Sequence, residues 1–207
     1  MSFELSLRHR IGRSEVVVEA RSQAPLTALV GPSGAGKTTT LNCIAGLIRP
    51  DEARIAVGGR VLFDGRAGVD LPPEARRAGY VFQQGRLFPH MRVGANLAYG
   101  EKLASPEERW IGRAEVLEFL GIGHLLSRWP ETLSGGEMRR VAIGRALLAA
   151  PKFLLLDEPL TSLDAARREE ILRVVERVRD ELKLPILYVS HEMGEVERLT
   201  DSVIRLG

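Results

Sequence analysis

The chain of 207 residues is poor in cysteine and has no long apolar run. Cys43 is the only cysteine, which excludes a disulfide within the chain and favours a reducing compartment. It lies in the apolar run 41–45, a pattern typical of a small buried residue rather than a reactive thiol. Because no stretch of 18 uncharged apolar residues occurs, we expect no membrane-spanning segment. Residues 1–10 carry scattered charges and no run of signal-peptide length, so we expect the protein to stay in the cytoplasm.

The chain also lacks an excess of charge of either sign. Its 29 lysines and arginines face 27 acidic residues, a formal net charge of +2, and the signs are interleaved, as in residues 167–170. A nucleic-acid-binding surface concentrates basic residues, so this pattern favours an ordinary solvated surface and no nucleic-acid partner. The hydrophobic content of 44% is ordinary for a globular protein, and the length suits one domain over residues 1–207.

Strand and helix patterns alternate along most of the chain. Alternating or short apolar segments predict strands at 3–7, 15–19, 26–30, 54–57, 60–63, 80–82, 153–156 and 186–189. Helical spacing predicts helices at 37–48, stopped by Pro50, and at about 134–149 and 166–182. Strands that alternate with helices predict an α/β fold with a mainly parallel, doubly wound sheet. Residues 92–128 have no strong strand pattern and predict a mostly helical insertion.

Residues 31–38 match the phosphate-loop pattern G-x-x-x-x-G-K-S/T, with a predicted strand before them and a predicted helix after. Glycines let the backbone curl so that its N–H groups point at phosphate oxygens, and the helix N-terminus adds a positive dipole end. Lys37 would reach the β- and γ-phosphates, and the Thr38 hydroxyl would ligate Mg²⁺. The predicted nucleotide-binding residues are Gly31, Pro32, Ser33, Gly34, Ala35, Gly36, Lys37, Thr38 and Thr39. Kinases, GTPases and motor ATPases share this loop, so it predicts nucleotide binding and leaves the activity open.

Two acids, Asp157 and Glu158, follow the apolar strand predicted at 153–156. Open α/β sheets bind ligands at the carboxyl ends of their strands, which is where these acids fall. Asp157 would bind Mg²⁺ directly or through water, and Glu158 would orient and deprotonate the attacking water. The alternative is a strand-end pair that caps the next helix.

Leu133-Ser134-Gly135-Gly136-Glu137 resembles the signature sequence of ABC-type ATPases. The order of the other motifs is similar to that family as well: phosphate loop, Gln83, signature, the acid pair, then Ser162-Leu163-Asp164 and His191. The resemblance covers essentially the whole chain. It implies a phosphate-loop NTPase of α/β class, with a mainly parallel sheet core, an antiparallel β subdomain and a helical subdomain at about 86–150.

The resemblance further implies ATP and Mg²⁺ as ligands and a head-to-tail homodimer. ATP would lie between the phosphate loop of one copy and Ser134, Gly135, Gly136 and Glu137 of the other. Gln83, chosen over Gln84 because it directly follows the strand at 80–82, would sense Mg²⁺ and the attacking water. It would lie on a loop that contacts the membrane subunit. Asp164 would line the dimer seam and couple the two sites. His191 would hydrogen-bond the γ-phosphate and hold Glu158 and the water in place.

The sequence departs from the family pattern at two places. Glu137 stands where most members have glutamine, and Ser134 with Glu137 also forms a capping-box pattern, so we expect Glu137 to be mainly structural. Many members stack a tyrosine or tryptophan on adenine near the start of the chain, where this sequence has Arg8, His9 and Arg10. His9 or one of the arginines could stack there instead.

Segments 59–64, 78–90 and 188–192 resemble bacterial importer ATPases, most of all those for molybdate, which usually carry a further C-terminal oxyanion-binding domain. We therefore expect ATP-driven dimer closure coupled to import of molybdate or a related oxyanion, at the cytoplasmic side of the membrane. The partners would be permease subunits, docked on helical residues between about 86 and 128, and indirectly an external binding protein. The alternatives are another import substrate, a soluble ABC-type ATPase and a small-molecule kinase. Soluble ABC-type ATPases usually have coiled-coil insertions or two ATPase domains. A kinase would leave the signature and His191 unexplained.

Overall fold

The computed structural model describes residues 2–12 and 14–207. The strands are β1 (Phe3–Ile11), β2 (Ser14–Ser22), β3 (Leu26–Val30), β4 (Glu52–Val57), β5 (Arg60–Asp64), β6 (Val69–Asp70), β7 (Ala78–Val81), β8 (Phe153–Asp157), β9 (Ile186–Val189) and β10 (Val203–Arg205). The helices are α1 (Lys37–Ala45), α2 (Pro73–Arg76), α3 (Val93–Lys102), α4 (Arg113–Leu120), α5 (Gly135–Leu148), α6 (Ala165–Arg177) and α7 (Met193–Leu199). No helix within these residues is long and apolar enough to cross a bilayer.

The central sheet is parallel, with strand order β10-β3-β9-β8-β7. Every residue of β3, β8 and β9 is buried, as expected of a parallel sheet that is covered on both faces. The apolar runs in the sequence therefore predicted these three strands correctly. Since the strands run in one direction, their carboxyl ends all meet at one edge of the sheet.

A second, antiparallel sheet has the order β2-β1-β4-β5-β6. Phe3, Leu5 and Leu7 alternate with more exposed residues along β1, so one face of this sheet is buried. That face shares a core with the parallel sheet, and the rings of Phe3 and Phe153 meet edge to face with centroids 6.3 Å apart. The expected combination of a parallel core and an antiparallel β part is confirmed.

Helices α3, α4 and α5 pack together on the other side of the parallel sheet. The side chain of Asn96 is fully buried there and binds the backbone of the preceding turn, accepting from Phe88 N at 2.8 Å and donating to Met91 O at 2.9 Å. Two tryptophans lie at the edges of this helical part. Trp110 donates its indole N–H to Pro151 O at 3.2 Å, and the ring of Trp129 lies 4.7 Å from the Arg92 guanidinium.

Several predicted boundaries were wrong. Helix α1 ends at Ala45 rather than near 48, because Gly46 adopts φ 80° and closes the helix long before Pro50. Strand β7 ends at Val81, one residue earlier than predicted, and α6 gives way to a π-helical turn at Val178–Leu182. Four short elements, β6, α2, α7 and β10, were not predicted from the sequence.

Candidate functional site

The predicted site residues of the central sheet meet at its carboxyl edge. Residues 31–36 connect β3 to α1, Gln83 follows β7, and His191 follows β9. Asp157 is the last residue of β8, and Glu158 comes next. Because these strands are parallel neighbours, four separate segments of the sequence meet in one place.

The phosphate loop owes its shape to glycines. Gly34 and Gly36 have φ values of 82° and 91°, a region that other residues avoid. Gly36 is also crowded by strand β2, because a Cβ built on it would lie 2.2 Å from Cγ2 of Val16. Pro32, Ser33 and Gly34 are exposed at the tip of the loop, whereas Gly31, Ala35 and Gly36 are half-buried.

Lys37 is buried beneath the loop at the start of α1, with 6% of its surface exposed. Its Nζ donates to Gly31 O at 2.7 Å and to Pro32 O at 3.0 Å, and lies 3.9 Å from Glu158 Oε1. The ammonium group is thus held at the centre of the curled backbone, where a phosphate oxygen would find both a cation and N–H donors.

Thr38 and Asp157 lie side by side at the mouth of the loop. The Thr38 hydroxyl donates to both carboxylate oxygens of Asp157, at 3.2 and 3.0 Å, while Thr39 lies half-buried next to it. Burial raises the pKa of Asp157, and the neighbouring charge of Glu158 raises it further, although the hydrogen bond from Thr38 opposes both effects. Burial and the charge of Glu158 thus outweigh the hydrogen bond from Thr38 and disfavour the charged carboxylate, which a bound cation would stabilise.

The donor set at this point fits Mg²⁺. Among residues 2–12 and 14–207 there is no group of three or more acids, histidines or cysteines that could enclose a metal ion. Mg²⁺ in nucleotide sites needs no such cage, because one or two protein oxygens suffice when water and phosphates supply the rest. The hydroxyl of Thr38 and the carboxylate of Asp157 are oxygens of that kind.

Glu158 is held by neighbours on both carboxylate oxygens. Oε2 accepts from Gln83 Nε2 at 3.3 Å and from Thr161 Oγ1 at 3.1 Å, and Oε1 lies 3.4 Å from His191 Nδ1. Its backbone has φ 44°, a strained value for a residue with a side chain. Thr161 was not predicted, because a lone threonine after the acid pair gives no signal in the sequence.

The loop that carries Gln83 is bound by arginines from α5. Arg139 is buried and donates to Phe82 O at 3.0 Å, and Arg145 donates to Arg86 O at 2.8 Å. This loop borders a cleft of about 360 Å³, together with Thr38, Asp157 and residues of and just after α1. The cleft is lined by Thr38, Asn42, Leu47, Ile48, Phe82, Gln83, Gln84, Arg86 and Asp157.

The signature residues form the start of α5 and are a separate feature in this chain. Ser134 is the N-cap; its hydroxyl accepts from Glu137 N at 3.3 Å, and Glu137 Oε2 accepts from Ser134 N at 2.7 Å. The expected capping box is confirmed. Glu137 Oε1 also accepts from Arg128 at 3.2 Å, and the hydrogen bond from Ser134 N is the main reason that the pKa of Glu137 is lowered. Across the described part of the chain, no hydrogen bond or ion pair joins Ser134, Gly135, Gly136 or Glu137 to the phosphate loop.

Asp164 caps the N-terminus of α6. Its carboxylate accepts from Arg167 N at 3.0 Å, and the side chain is 56% exposed. The preceding Ser162 has φ 65°, so the chain turns sharply between Glu158 and this cap. The turn puts Asp164 on the outside of the site, at a surface that a second protein can reach.

Within the Arg8–Arg10 segment, His9 lies on the sheet face that adjoins the phosphate loop. It is paired across the sheet with Val16, the residue that contacts Gly36, and paired residues project from the same face. His9 Nδ1 lies 3.3 Å from Asp51 Oδ2, and Arg8 on the other face lies 3.7 Å from Glu15.

The parallel sheet carries a glycine-shaped loop with a lysine, a threonine and two acids at its mouth. These features define a phosphate-loop nucleotide-binding domain. The model of the ABC transporter family matches residues 21–161, and the chain belongs to this family.

Among curated relatives, the chain is 55% identical over 206 residues to a molybdenum import ATP-binding protein of Mesorhizobium japonicum, an alignment that covers 100% of this chain and 56% of that protein. It is 54% identical over 200 residues to the protein of that name from Paramagnetospirillum magneticum, covering 97% of this chain and 55% of the relative. The chain therefore spans about half the length of these relatives.

Solved structures agree with the family. A dimeric ATP-binding cassette in a post-hydrolysis state, bound to ADP and Pi, matches with a TM-score of 0.76 and 27% identity, over 99% of this chain and 94% of that one. The cbiO1 protein of Clostridium perfringens, part of the ABC transporter complex cbiONQ, matches with a TM-score of 0.82 and 26% identity, over 100% of this chain and 85% of that one.

Proposed function

We propose that the chain binds ATP with Mg²⁺ and hydrolyses it as the membrane-peripheral, cytoplasmic subunit of an importer for molybdate or a related oxyanion. Membership of the ABC transporter family supports the ATPase part. The similarity to molybdenum import proteins over nearly the whole chain supports the substrate.

One observation carries the catalytic part: a carboxylate held in a fixed position next to a phosphate loop. Glu158 is anchored by Gln83 and Thr161, and it faces His191 on one side and Lys37, at 3.9 Å, on the other. A carboxylate with this surrounding can orient a water molecule and accept its proton as the water attacks phosphorus. The strained backbone of Glu158 supports the same role, because such strain persists mainly at functional sites.

The other residues would bind the nucleotide and hold the reacting groups in place. Lys37 and the backbone N–H groups of the phosphate loop would bind the β- and γ-phosphates, with Pro32, Ser33 and Thr39 around them. Thr38, Asp157 and Gln83 would hold Mg²⁺, which supplies positive charge against the phosphates when bound. His191, at 3.4 Å from Glu158, would donate a hydrogen bond to the γ-phosphate.

We further propose that the working unit is a head-to-tail homodimer. The signature serine caps a 14-residue helix, and both carboxylate oxygens of Glu137 are engaged within its own chain. The Ser134 hydroxyl and the N–H groups of Gly135 and Gly136 are therefore the groups offered to the ATP bound by a second copy. Asp164, exposed at the end of the turn from Glu158, would lie at the seam and couple the two sites. Permease subunits would dock on the helical part, at about 86–128 within a subdomain of about 86–150.

Replacing Glu158 with glutamine tests the ATPase assignment. In Glu158→Gln the fold and the phosphate loop remain, so the Kd for ATP should stay within about twofold, while turnover should fall by at least ~100-fold. ATP should then hold the variant as a dimer on a sizing column. Glu118→Gln, which changes an exposed acid on α4, is the matched control and should behave like the wild type. Turnover in Glu158→Gln at the wild-type rate would show that another residue is the base.

The substrate requires a separate experiment. The chain is co-purified with its permease, and ATP hydrolysis is measured with molybdate, tungstate and sulfate, each supplied through the external binding protein. Stimulation by molybdate above sulfate is the expected result. Stimulation by a different cargo, with no stimulation by molybdate, would reject the proposed substrate. It would leave the ATPase assignment unchanged.

A further inference from the structure

Glu195 of α7 accepts hydrogen bonds from the residues that lead into the loop carrying His191. Glu195 Oε2 accepts hydrogen bonds from Ser190 Oγ at 2.8 Å and from Tyr188 Oη at 3.0 Å. Tyr188 is fully buried and Ser190 is 3% exposed, so these are interior contacts. Burial raises the pKa of Tyr188, and the phenol therefore remains a donor. One carboxylate thus connects α7 to the last residues before His191.

The hydroxyl of Ser190 also binds the backbone on the other side of His191. Its hydroxyl donates to Glu195 and at the same time accepts from Glu192 N at 3.0 Å. A serine hydroxyl has one proton, so the position of Glu195 determines which way that hydroxyl points. The backbone before and after His191 is therefore fixed through a single side chain that Glu195 orients.

The His191 loop borders a cavity. A cavity of about 50 Å³ lies between Glu158 and Glu195. It is lined by Glu158, Leu160, Thr161, Ser162, Arg168, Ser190, His191, Glu192 and Glu195. Across it, Arg168 of α6 lies 4.0 Å from Glu195 Oε1, so the carboxylate also faces a cation on the helix that Asp164 caps. On the side that faces this cavity, hydrogen bonds to Glu195 hold the residues before His191 in place.

We propose that Glu195 is a positioning residue for ATP hydrolysis, which fixes the His191 loop so that His191 keeps its contact with Glu158. This inference rests on the proposed function of Glu158 and His191. Glu195 touches neither the phosphate loop nor the Thr38–Asp157 pair, so its influence is on the rate of hydrolysis and not on nucleotide binding. A shift of the histidine by about 1 Å is enough for a large loss of rate.

The first test is steady-state ATP hydrolysis by the purified full chain. Glu195→Ala should lower kcat by roughly 10- to 100-fold and change KM by less than about twofold. Glu195→Gln retains an oxygen that accepts from Ser190 and Tyr188, so it should recover most of the rate. Glu197→Gln, an exposed acid two residues further along α7, is the matched control and should hydrolyse ATP like the wild type. A kcat for Glu195→Ala within twofold of the wild type would overturn the proposal.

The second test separates positioning of His191 from general stability. If Glu195 acts through His191, Glu195→Ala should lower the residual rate of a His191→Ala chain by less than about twofold, since the two losses share one cause. An equal loss in both backgrounds would overturn the proposal. Ser190→Ala removes the intermediate hydroxyl and should repeat this pattern, which covers the case that Glu195→Ala does not fold. A wild-type chain without Mg²⁺-dependent hydrolysis would instead overturn the proposed function itself.

Discussion

Asp157 is placed where its own environment opposes its charge. It is 4% exposed, and burial raises its pKa, while its hydrogen-bonding partner within the described residues is the Thr38 hydroxyl. A carboxyl whose pKa is higher in the folded than in the unfolded state stabilises the fold only while it is protonated. At neutral pH the charged form therefore lowers stability, and a bound cation would remove that cost.

We predict that Asp157→Asn raises the melting temperature at neutral pH and abolishes Mg²⁺-dependent hydrolysis. Each kcal/mol gained corresponds to about 2–4 °C for a chain of this size. The gain should shrink as the pH falls from the raised folded-state pKa of Asp157 toward about 4, the pKa of aspartate in the unfolded chain, and should be absent below it. Calorimetry at several pH values measures both effects. A variant that melts below the wild type at pH 7 would contradict the assignment of Asp157 as a destabilising charge.

A second prediction at the residue scale concerns His9, which we expect to contact the nucleobase. It shares a face with Val16, which touches Gly36, so a base above the loop would meet the imidazole ring. Stacking on a side chain contributes about 1–3 kcal/mol per base, so His9→Ala should raise KM for ATP by roughly 5- to 150-fold with kcat unchanged. Arg8→Ala, on the opposite face, is the control. If Arg8→Ala raises KM and His9→Ala does not, the base lies on the arginine.

At the scale of elements, the phosphate loop depends on the β1–β2 hairpin. Val16 of β2 fills the space over Gly36, whereas nothing lies within 4 Å of a Cβ built on Gly34. Both glycines have positive φ, so alanine at either position carries the same kind of backbone strain, and Gly36→Ala adds a steric clash.

Gly36→Ala should therefore abolish ATP binding and lower the melting temperature, and Gly34→Ala should lose binding less completely. Combining Gly36→Ala with Val16→Ala should recover part of the stability, because the clash is relieved and the strain remains. Thermal melting and nucleotide titration of the three variants measure this. Equal losses for Gly34→Ala and Gly36→Ala would mean that the hairpin does not shape the loop.

Elements with a strong local pattern could be predicted from the sequence, and those that depend on distant contacts could not. The apolar strands β3, β8 and β9 and the capping box of α5 follow from neighbouring residues. The end of α1 was misplaced because the left-handed Gly46 ends the helix, and buried Arg76 donates to its last carbonyl oxygens, Cys43 O and Ile44 O.

The same division holds for the site. The phosphate loop and the acid pair are visible as motifs, whereas the support of Glu158 by Thr161 and of the His191 loop by Glu195 comes from residues brought together by the fold. A single threonine or glutamate has no pattern around it that marks such a role. Gln83 and His191 were predicted from the family resemblance, and in the structure both contact Glu158.

At the scale of the whole molecule, the signature and the phosphate loop of one chain do not form one site. We predict that Ser134→Ala lowers hydrolysis while the ATP affinity of the monomer stays within about twofold, because the serine would act on ATP bound by another copy. Loss of the helix cap alone costs about 1 kcal/mol. Ser105→Ala removes the serine of a Ser105–Glu108 capping box at the single 3₁₀ turn Pro106–Glu108, and this change in a cap outside the site is the control, with hydrolysis expected to be normal. A large affinity loss in monomeric Ser134→Ala would contradict the dimer.

Trp110 and Trp129 are the only tryptophans of the chain, and both belong to the helical part described above. Intrinsic fluorescence excited near the red edge of the indole band therefore comes entirely from that part, without a label. Trp129 lies five residues before Ser134 and beneath the Arg92 guanidinium, 4.7 Å away, a charge that affects its emission. Trp110 instead donates to Pro151 O next to β8, so rotation of the helices against the nucleotide-binding sheet would act on its indole and be visible in real time as a change in colour and intensity of the emitted light.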